Sequence, residues 1–597
     1  MSGDGRHRRR IRIALPAAVA GVAAVAAALM TTSAGAATAL PEPTTKPAIQ
    51  TASLAELQAR VAGAAAGDDT AGETTSKSSL SASTSSGTVD PKIIGGTTTT
   101  ITSAPWMAQL WYYDDKGTTD TADDLGFFCG GAVVAPTKIL TAAHCAKGYS
   151  WAKHGAVVTG TANLPDDSGN TDGTVSLPLR QWTHSSYSST TIDNDIAVIT
   201  LAAPVKATPI RMATAADTTS YTAGTSAKVY GWGRTSSTTQ DISDTLKTAT
   251  LPIQSDTTCA NYYGTDFVKG HMVCAGNPAT GSDEGTTSAC NGDSGGPLVV
   301  NNRIVGVVSW GVVDCVEQGA YSVFSKVKTY VGAAYAQVDD ASMSYTDAKA
   351  DLFVRNASTK TAYEKDSKGT SFGARQSLGN WGAVNLVLQA DLDRDSVQDL
   401  VYRVAATGDV YWLHYVWSTE SWSEKQIFDN WKTRTRILTP GDLTGDYLPD
   451  LVSVDSSGKA WLYPGKGNGS FSSRVQIGTG TGWNQYNLLR GKGDFNGDGL
   501  ADMIARNKST GAIYLYKGTG KASSPFSARV KVRTWSNTTY NAFDAIGDIT
   551  GDGKADFLAR TPGGTLYLYK GTGKATSEIF ATRISVGTDF KQYDIFG

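Results

Sequence analysis

Ser294 stands inside Cys290-Asn291-Gly292-Asp293-Ser294-Gly295-Gly296-Pro297, a glycine-rich turn bracketed by a cysteine and an acid. A serine hydroxyl is nearly inert at neutral pH, so it needs a base to take its proton and donors to hold the oxyanion that forms. Glycines on both sides let a substrate approach and leave backbone N–H groups free to face it. A base with a defined setting occurs at Leu140-Thr141-Ala142-Ala143-His144-Cys145, in a chain with only six histidines. An acid opens an apolar run at Asp195-Ile196-Ala197-Val198-Ile199. Together these residue types carry acyl-transfer chemistry if a fold brings them together. Taken singly, each has a plainer reading: a turn serine, a structural histidine, a strand-end carboxylate.

The elements that must position them are short. From 93 to about 323, apolar runs such as 131–134, 227–232 and 304–310 alternate with Gly, Thr, Ser and Asp. That pattern predicts an all-β sandwich or barrel. Val327, Val331, Ala334, Tyr335 and Val338 fall at helical spacing and predict a closing amphipathic helix over 325–338. Beyond it the chain repeats: acidic loops starting at Asp391, Asp442, Asp494 and Asp548 recur at intervals of 51, 52 and 54 residues. A worn fifth copy lies at 347–351. Each loop leads into a strand, and several units add an aromatic strand such as Ala460-Trp461-Leu462-Tyr463. Units of this size with two to four strands are expected as blades of a propeller or a similar array.

With 597 residues, 40% hydrophobic and 18% charged, the chain reads as globular and multidomain. A net charge of −2 gives no hint of nucleic acid. Residues 1–36 read as a secretory signal, with a basic start at 6–12, an Ala-rich apolar run at 13–30 and Ala34-Gly35-Ala36 as the cleavage site. The competing reading, a membrane anchor, is disfavoured because the run barely reaches the roughly 18–20 residues needed to span. No later stretch is apolar enough to cross a membrane. Residues 37–92, rich in Ala, Ser, Thr and Gly with one weak helical patch near 54–61, read as a removable or flexible segment. Lys92-Ile93-Ile94-Gly95-Gly96 follows, a place where a protease could cut. All six cysteines lie between 129 and 315, and an exported chain can keep them as disulfides, with 15 pairings open. The absence of CxxC spacing argues against a metal.

The segment 93–338 resembles the chymotrypsin family of serine proteases. The resemblance rests on Ile93-Ile94-Gly95-Gly96, Thr141-Ala142-Ala143-His144-Cys145, Asp195-Ile196-Ala197, Gly292-Asp293-Ser294-Gly295-Gly296-Pro297 and Ser309-Trp310-Gly311, all in the family's order. It implies a double β-barrel with a short C-terminal helix. It further implies Ser294 as nucleophile, His144 as base, Asp195 as the group orienting His144, and the N–H groups of Gly292 and Ser294 as the oxyanion hole. Cleavage after Lys92 would free an amino group at Ile93 to pair with Asp293, making the chain a zymogen. The implied disulfides are Cys129 with Cys145, Cys259 with Cys274, and Cys290 with Cys315. Ser309, Trp310 and Gly311 would pair with the substrate backbone. Ser288 would form the base of the primary pocket and Gly311 and Gly319 its open walls, which favours an aromatic or large apolar P1 residue over Lys or Arg. The segment 315–319 is shorter than is usual in the family, and Asp314 or Glu317 on or beside it could restore a basic preference.

Residues 339–597 resemble the FG-GAP or VCBS-type repeats of integrin-like β-propellers, with about five units and closure by joined ends. Each acidic loop offers oxygen ligands at positions 1, 3, 5 and 9: Asp391, Asp393, Asp395 and Asp399; Asp442, Thr444, Asp446 and Asp450; Asp494, Asn496, Asp498 and Asp502; Asp548, Thr550, Asp552 and Asp556. Such hard donors suit structural Ca²⁺. The plainer reading is metal-free Asx turns. Gly499 and Gly553 permit the sharp turn, whereas Ser396 and Tyr447 replace glycine in the earlier copies and predict weaker binding there. The expectation is thus a secreted, extracellular serine endopeptidase with no catalytic cofactor. Its expected partners are protein substrates, an activating protease, and an extracellular protein or glycan bound by the propeller. The rivals are an adhesion protein with an inactive protease domain, and an esterase using the same residues.

Overall fold

Runs such as Met107–Asp114 and Arg303–Trp310 are rich in β-branched and aromatic residues and buried along nearly their full length, which is what a strand packed on both sides requires. The computed structural model describes residues 51–66 and 93–597 apart from 346 and 537. The expected signal at 1–36 and most of 37–92, including Lys92, lie outside the described residues. Strands between 97 and 326 form two half-barrel sheets. The first orders Thr174–Ser176, Gly155–Thr159, Met107–Asp114, Leu125–Ala135, Lys138–Thr141, Ala197–Leu201 and Pro178–Thr183. The second is built around Ser226–Gly231, Pro297–Val300 and Arg303–Trp310. This is the expected chymotrypsin-like fold. All three expected disulfides are formed: Cys129–Cys145, Cys259–Cys274 and Cys290–Cys315.

Four α-helices occur among the described residues: α1 (Leu54–Ala66), α2 (Trp151–His154), α3 (Asp256–Tyr263) and α4 (Val327–Val338). The segment expected to be flexible therefore contains a docked helix. Leu57, Val61 and Ala64 of α1 line one face and are buried in the core of the first barrel. Arg60 donates to the Gly155 carbonyl at 2.9 Å and pairs with Glu56 one turn earlier at 2.7 Å. The closing helix α4 buries Val327, Tyr330, Val331, Ala334, Tyr335 and Val338, as its periodicity predicts.

The remainder is a five-bladed propeller of four-stranded antiparallel sheets. Four blades begin on an innermost strand: Val384–Ala390, Arg436–Gly441, Tyr486–Arg490 and Ala542–Gly547. The fifth takes Leu352–Asn356, Thr361–Lys365 and Gln376–Asn380 from the start of the module and its innermost strand, Tyr593–Phe596, from the chain's last residues. Val354 pairs with Phe596, so the ends close the ring.

The acidic loops leave the innermost strands on the side facing the barrels. Asp339, just past α4, pairs with the buried Arg394. Asp340 pairs with Lys138 at 2.5 Å and Arg180 at 2.9 Å. The Tyr447 hydroxyl oxygen accepts from the Met212 N–H at 2.9 Å. Leu57, Val198, Tyr335, Val397 and Tyr447 belong to one buried cluster, so α1, the half-barrels with α4, and the propeller share a core.

Candidate active site

His144 follows the strand Lys138–Thr141 in a turn tied to Leu125–Ala135 by Cys129–Cys145. The turn and side chain clasp Asp195: the His144 N–H donates to Oδ1 at 2.8 Å, and Nδ1 lies 2.8 Å from Oδ2. A carboxylate can only accept there, so Nδ1 carries the hydrogen and Nε2 is the basic nitrogen. Nε2 is buried and has no hydrogen-bond partner among the described residues. Asp195 is fully buried and held from two further directions: Ser309 Oγ donates to its Oδ2 at 2.7 Å, and Ser325 Oγ to its backbone carbonyl at 2.5 Å. Sequence reasoning assigns Ser309 only to substrate pairing and misses Ser325, since nothing in local spacing marks contacts across 114 and 130 residues.

Ser294 is half-buried, on a turn laid against the histidine-bearing sheet. Its carbonyl accepts from the Gly130 N–H at 2.8 Å, and Gly295 abuts Thr141 and Ala142. The turn thus brings the serine and histidine segments side by side. Gly292 sits at φ +89°, where a side chain would also meet Ile242 and the Gly233 backbone. The N–H groups of Asp293, Gly295 and Gly296 are committed to the carbonyls of Cys290, Val308 and Asp293. Those of Gly292 and Ser294 have no acceptor among the described residues, so they are the donors an oxyanion would find.

Asp293 is fully buried and accepts from Gly233 N–H at 2.8 Å and Cys290 N–H at 2.9 Å. Gly231 and Gly233 make room for it: a Cβ on either would lie 2.1 to 2.4 Å from its carboxylate. Burial pushes its carboxyl up to about 7, against the pull of the two N–H donors. Ile93 is fully buried in the core of the second sheet with Val229 and Leu298.

Ser288 Oγ donates to the Cys315 carbonyl at 2.8 Å, and its N–H to the Ile94 carbonyl at 3.0 Å. The expected pocket base is thus a neutral hydroxyl that already has an acceptor. Gly311 faces open space, and Gly319 turns at φ +86°. Trp310 packs edge-on against Tyr263 at 4.8 Å. Glu317 is exposed and accepts from Tyr262 Oη at 2.9 Å, and Asp314 is exposed.

In the first acidic loop, carboxylate oxygens of Asp391, Asp393 and Asp395 lie within 4.8 Å of one another. Asp393 Oδ1 and Asp399 Oδ1 are buried without a partner among the described residues. Burial, and then the charge of Asp391, push Asp393 up; burial and neighbouring carboxylates do the same to Asp395 and Asp399. Unpartnered, mutually repelling oxygens fit a hard cation. In the later loops the ninth-position acids are committed to backbone: Asp450 accepts from Leu443 and Gly465, Asp502 from Phe495 and Gly518, and Asp556 from Thr550 and Gly571. Cys129 and Cys145, whose sulfurs also lie near His144, are bonded to each other.

Comparison with known proteins agrees with this geometry. The trypsin family model matches residues 93–333, and the FG-GAP-like repeat model matches 494–559. A trypsin of Saccharopolyspora erythraea is 41% identical over 212 residues, covering 36% of this chain and 87% of that protein. Human kallikrein-14 is 34% identical over 243 residues, 40% of this chain and 81% of its own length. Brachyurin of Leptuca pugilator is 34% identical over 240 residues, 40% of this chain and 95% of its own.

Proposed function

Because the chain belongs to the trypsin family of serine proteases and is a serine endopeptidase, we propose that it cleaves peptide bonds through an acyl-enzyme on Ser294. His144 Nε2 takes the serine proton and returns it to the leaving amine. Asp195 keeps Nδ1 protonated and stabilises the imidazolium. The oxyanion is received by the N–H groups of Gly292 and Ser294. The observation that carries this reading is the His144–Asp195 pair, with Nε2 and the N–H groups of Gly292 and Ser294 left without partners among the described residues. Each such donor is worth on the order of 3 kcal/mol in the transition state.

The primary pocket takes an aromatic or large apolar P1 residue. The neutral Ser288, already bonded to Cys315, and the outward Glu317 support this over Lys or Arg. Residues 1–36 direct export, 37–92 are a pro-segment, 93–338 the protease and 339–597 the propeller, so the mature enzyme is secreted and extracellular. Cleavage after Lys92 frees the Ile93 amino group to pair with Asp293, whose buried carboxylate has no cationic partner among the described residues. Asp391, Asp393, Asp395 and Asp399 hold a structural Ca²⁺ and the other acidic loops bind it less tightly, the reverse of the order that Ser396 in place of glycine predicts, because Asp393 Oδ1 and Asp399 Oδ1 have no partner among the described residues.

The test is hydrolysis by protein nicked after Lys92, on amide substrates ending in Phe or Arg. Cleavage after Phe that disappears in Ser294→Ala is expected. No amide hydrolysis, or ester hydrolysis alone, would sink the endopeptidase mechanism, and a preference for Arg would sink the pocket assignment.

A further inference from the structure

At the end of the propeller axis opposite the acidic loops lies a cavity of about 460 Å³, walled by residues of all five innermost strands and of the segments beside them. The protease covers the acidic-loop end, so this mouth is the propeller's other axial opening. We propose that it is a binding site for a multiply charged oxyanion ligand.

The wall is built of donors. Arg403, Arg434, Arg436 and Arg490 line it, and the acid among the lining residues is Asp594. Asp594 already has two cations, Arg355 at 2.8 Å and Lys360 at 2.9 Å. Although burial raises it, those partners hold its carboxyl down at about 2. Arg490 Nε lies 3.2 Å from the buried Asp544. Arg403, Arg434 and Arg436 have no carboxylate within ion-pair distance among the described residues. The Nε atoms of Arg434 and Arg436 are buried without a hydrogen-bond partner there. Burial, and then the charge of Arg490, push Arg436 down from its ordinary value, so its charge is not compensated by the protein.

The neutral groups point the same way. Asn385 Oδ1 accepts from Arg403 Nε at 2.9 Å, and Asn541 Oδ1 from Arg560 Nε at 3.2 Å. Each amide is thereby fixed with its oxygen engaged and its NH₂ available to donate. Arg403 is held by its own acceptors, Asn385 Oδ1 and the carbonyls of Trp431 and Arg434, and Arg436 Nη1 donates to the Thr435 carbonyl, so the Arg434 fork, the remaining nitrogens of Arg436 and the two side-chain amides are the donors left to meet carboxylate, sulfate or phosphate oxygens. The volume falls within the range of small-ligand pockets. A tricarboxylate or the end of an acidic sugar chain is of suitable size.

The experiment is isothermal titration calorimetry on full-length Ser294→Ala protein at low ionic strength, with citrate, sulfate and an oligouronate as separate probes. Saturable binding of at least one probe is expected, weakened at least tenfold by Arg436→Gln and by Arg434→Gln. Arg474→Gln, outside the cavity, should bind as the parent does. Tight citrate with weak oligouronate would identify a free small anion, and the reverse an acidic glycan. If an arginine variant fails to fold, protection of Arg434 and Arg436 from phenylglyoxal by the probe, read by mass spectrometry on the parent protein, decides the matter. No binding by any probe at millimolar concentration, or binding unaffected by both variants with no protection, overturns the proposal.

Discussion

Asp293 gives the proposed cleavage after Lys92 a measurable pH dependence. Its carboxyl is pushed up by burial to about 7, whereas the unfolded chain would titrate at 3.8. Between these values the folded protein holds a proton that the unfolded chain has released. Stability from this group is therefore full below about 4 and declines as pH rises to 7. At ~1.4 kcal/mol per tenfold, the gap corresponds to about 4 kcal/mol. The perturbation is Asp293→Asn in a Lys92→Gln background that stays uncut. Asparagine keeps one acceptor for Gly233 or Cys290 and turns an NH₂ on the other, at a cost of about 1–3 kcal/mol that does not vary with pH. Urea unfolding from pH 4 to pH 8 should show the Lys92→Gln protein losing about 4 kcal/mol relative to the double variant. In protein cut after Lys92, the Ile93 ammonium supplies the countercharge, and the stability difference between the parent and Asp293→Asn should lose that slope. Cut Asp293→Asn enzyme should also fall about a hundredfold in kcat/KM, as expected when an oxyanion donor is misplaced. Parallel pH profiles for the two uncut proteins, or a slope untouched by cleavage, would refute the reasoning.

Replacing Ser288 by Asp should bring Arg at P1 into use, with kcat/KM for the Arg amide rising at least about tenfold, because a charge-assisted hydrogen bond is worth about 1.5–3 kcal/mol. Asp340→Ala strands the fully buried Lys138 and its neighbour Arg180, and urea unfolding should show a loss of about 3–5 kcal/mol; Lys138→Met and Arg180→Met with Asp340→Leu should recover most of it. Chelation with EDTA should lower the Tm of the parent by several degrees, roughly as for loss of a bound ligand, with recovery on adding Ca²⁺. The same treatment should leave Asp393→Asn little changed, and a parent Tm indifferent to EDTA would count against the first acidic loop as a cation site.

The groups assigned to chemistry are legible because each sits in a short local string: a glycine turn around Ser294, a strand end before His144, a strand start at Asp195. What secures them is not, because it comes from far along the chain. Ser309 and Ser325 fix Asp195, and Ile94 anchors Ser288, through contacts that no window of neighbouring residues contains. The propeller is legible from the period of its acidic loops, including closure by the chain's ends. Helix α1 is legible only as a patch, since three buried apolar residues in 13 give a faint stripe and the surface that completes it belongs to strands more than 40 residues later.

The acidic loops show how tertiary contact overrides a local rule. The turn calls for glycine after the third ligand, and its replacement by Ser396 and Tyr447 predicts weaker Ca²⁺ binding in those copies. Both residues nevertheless adopt the left-handed turn, at φ +70° and +66°, beside Gly499 and Gly553 at +81°. A non-glycine residue there costs about 1–2 kcal/mol. Ser396 Oγ meets Thr137 Oγ1 at 2.5 Å, and Tyr447 Oη accepts from Met212 N–H while its ring packs on Tyr335 at 5.4 Å. These side chains reach into the protease, and a glycine could make none of those contacts. At Gly499 the opposite holds: a Cβ would lie 2.9 Å from Val331 of α4, so closeness of the helix demands glycine. The same loop position therefore carries a side chain where the protease needs a partner and none where α4 needs room, which makes the acidic-loop face a docking surface as well as a turn.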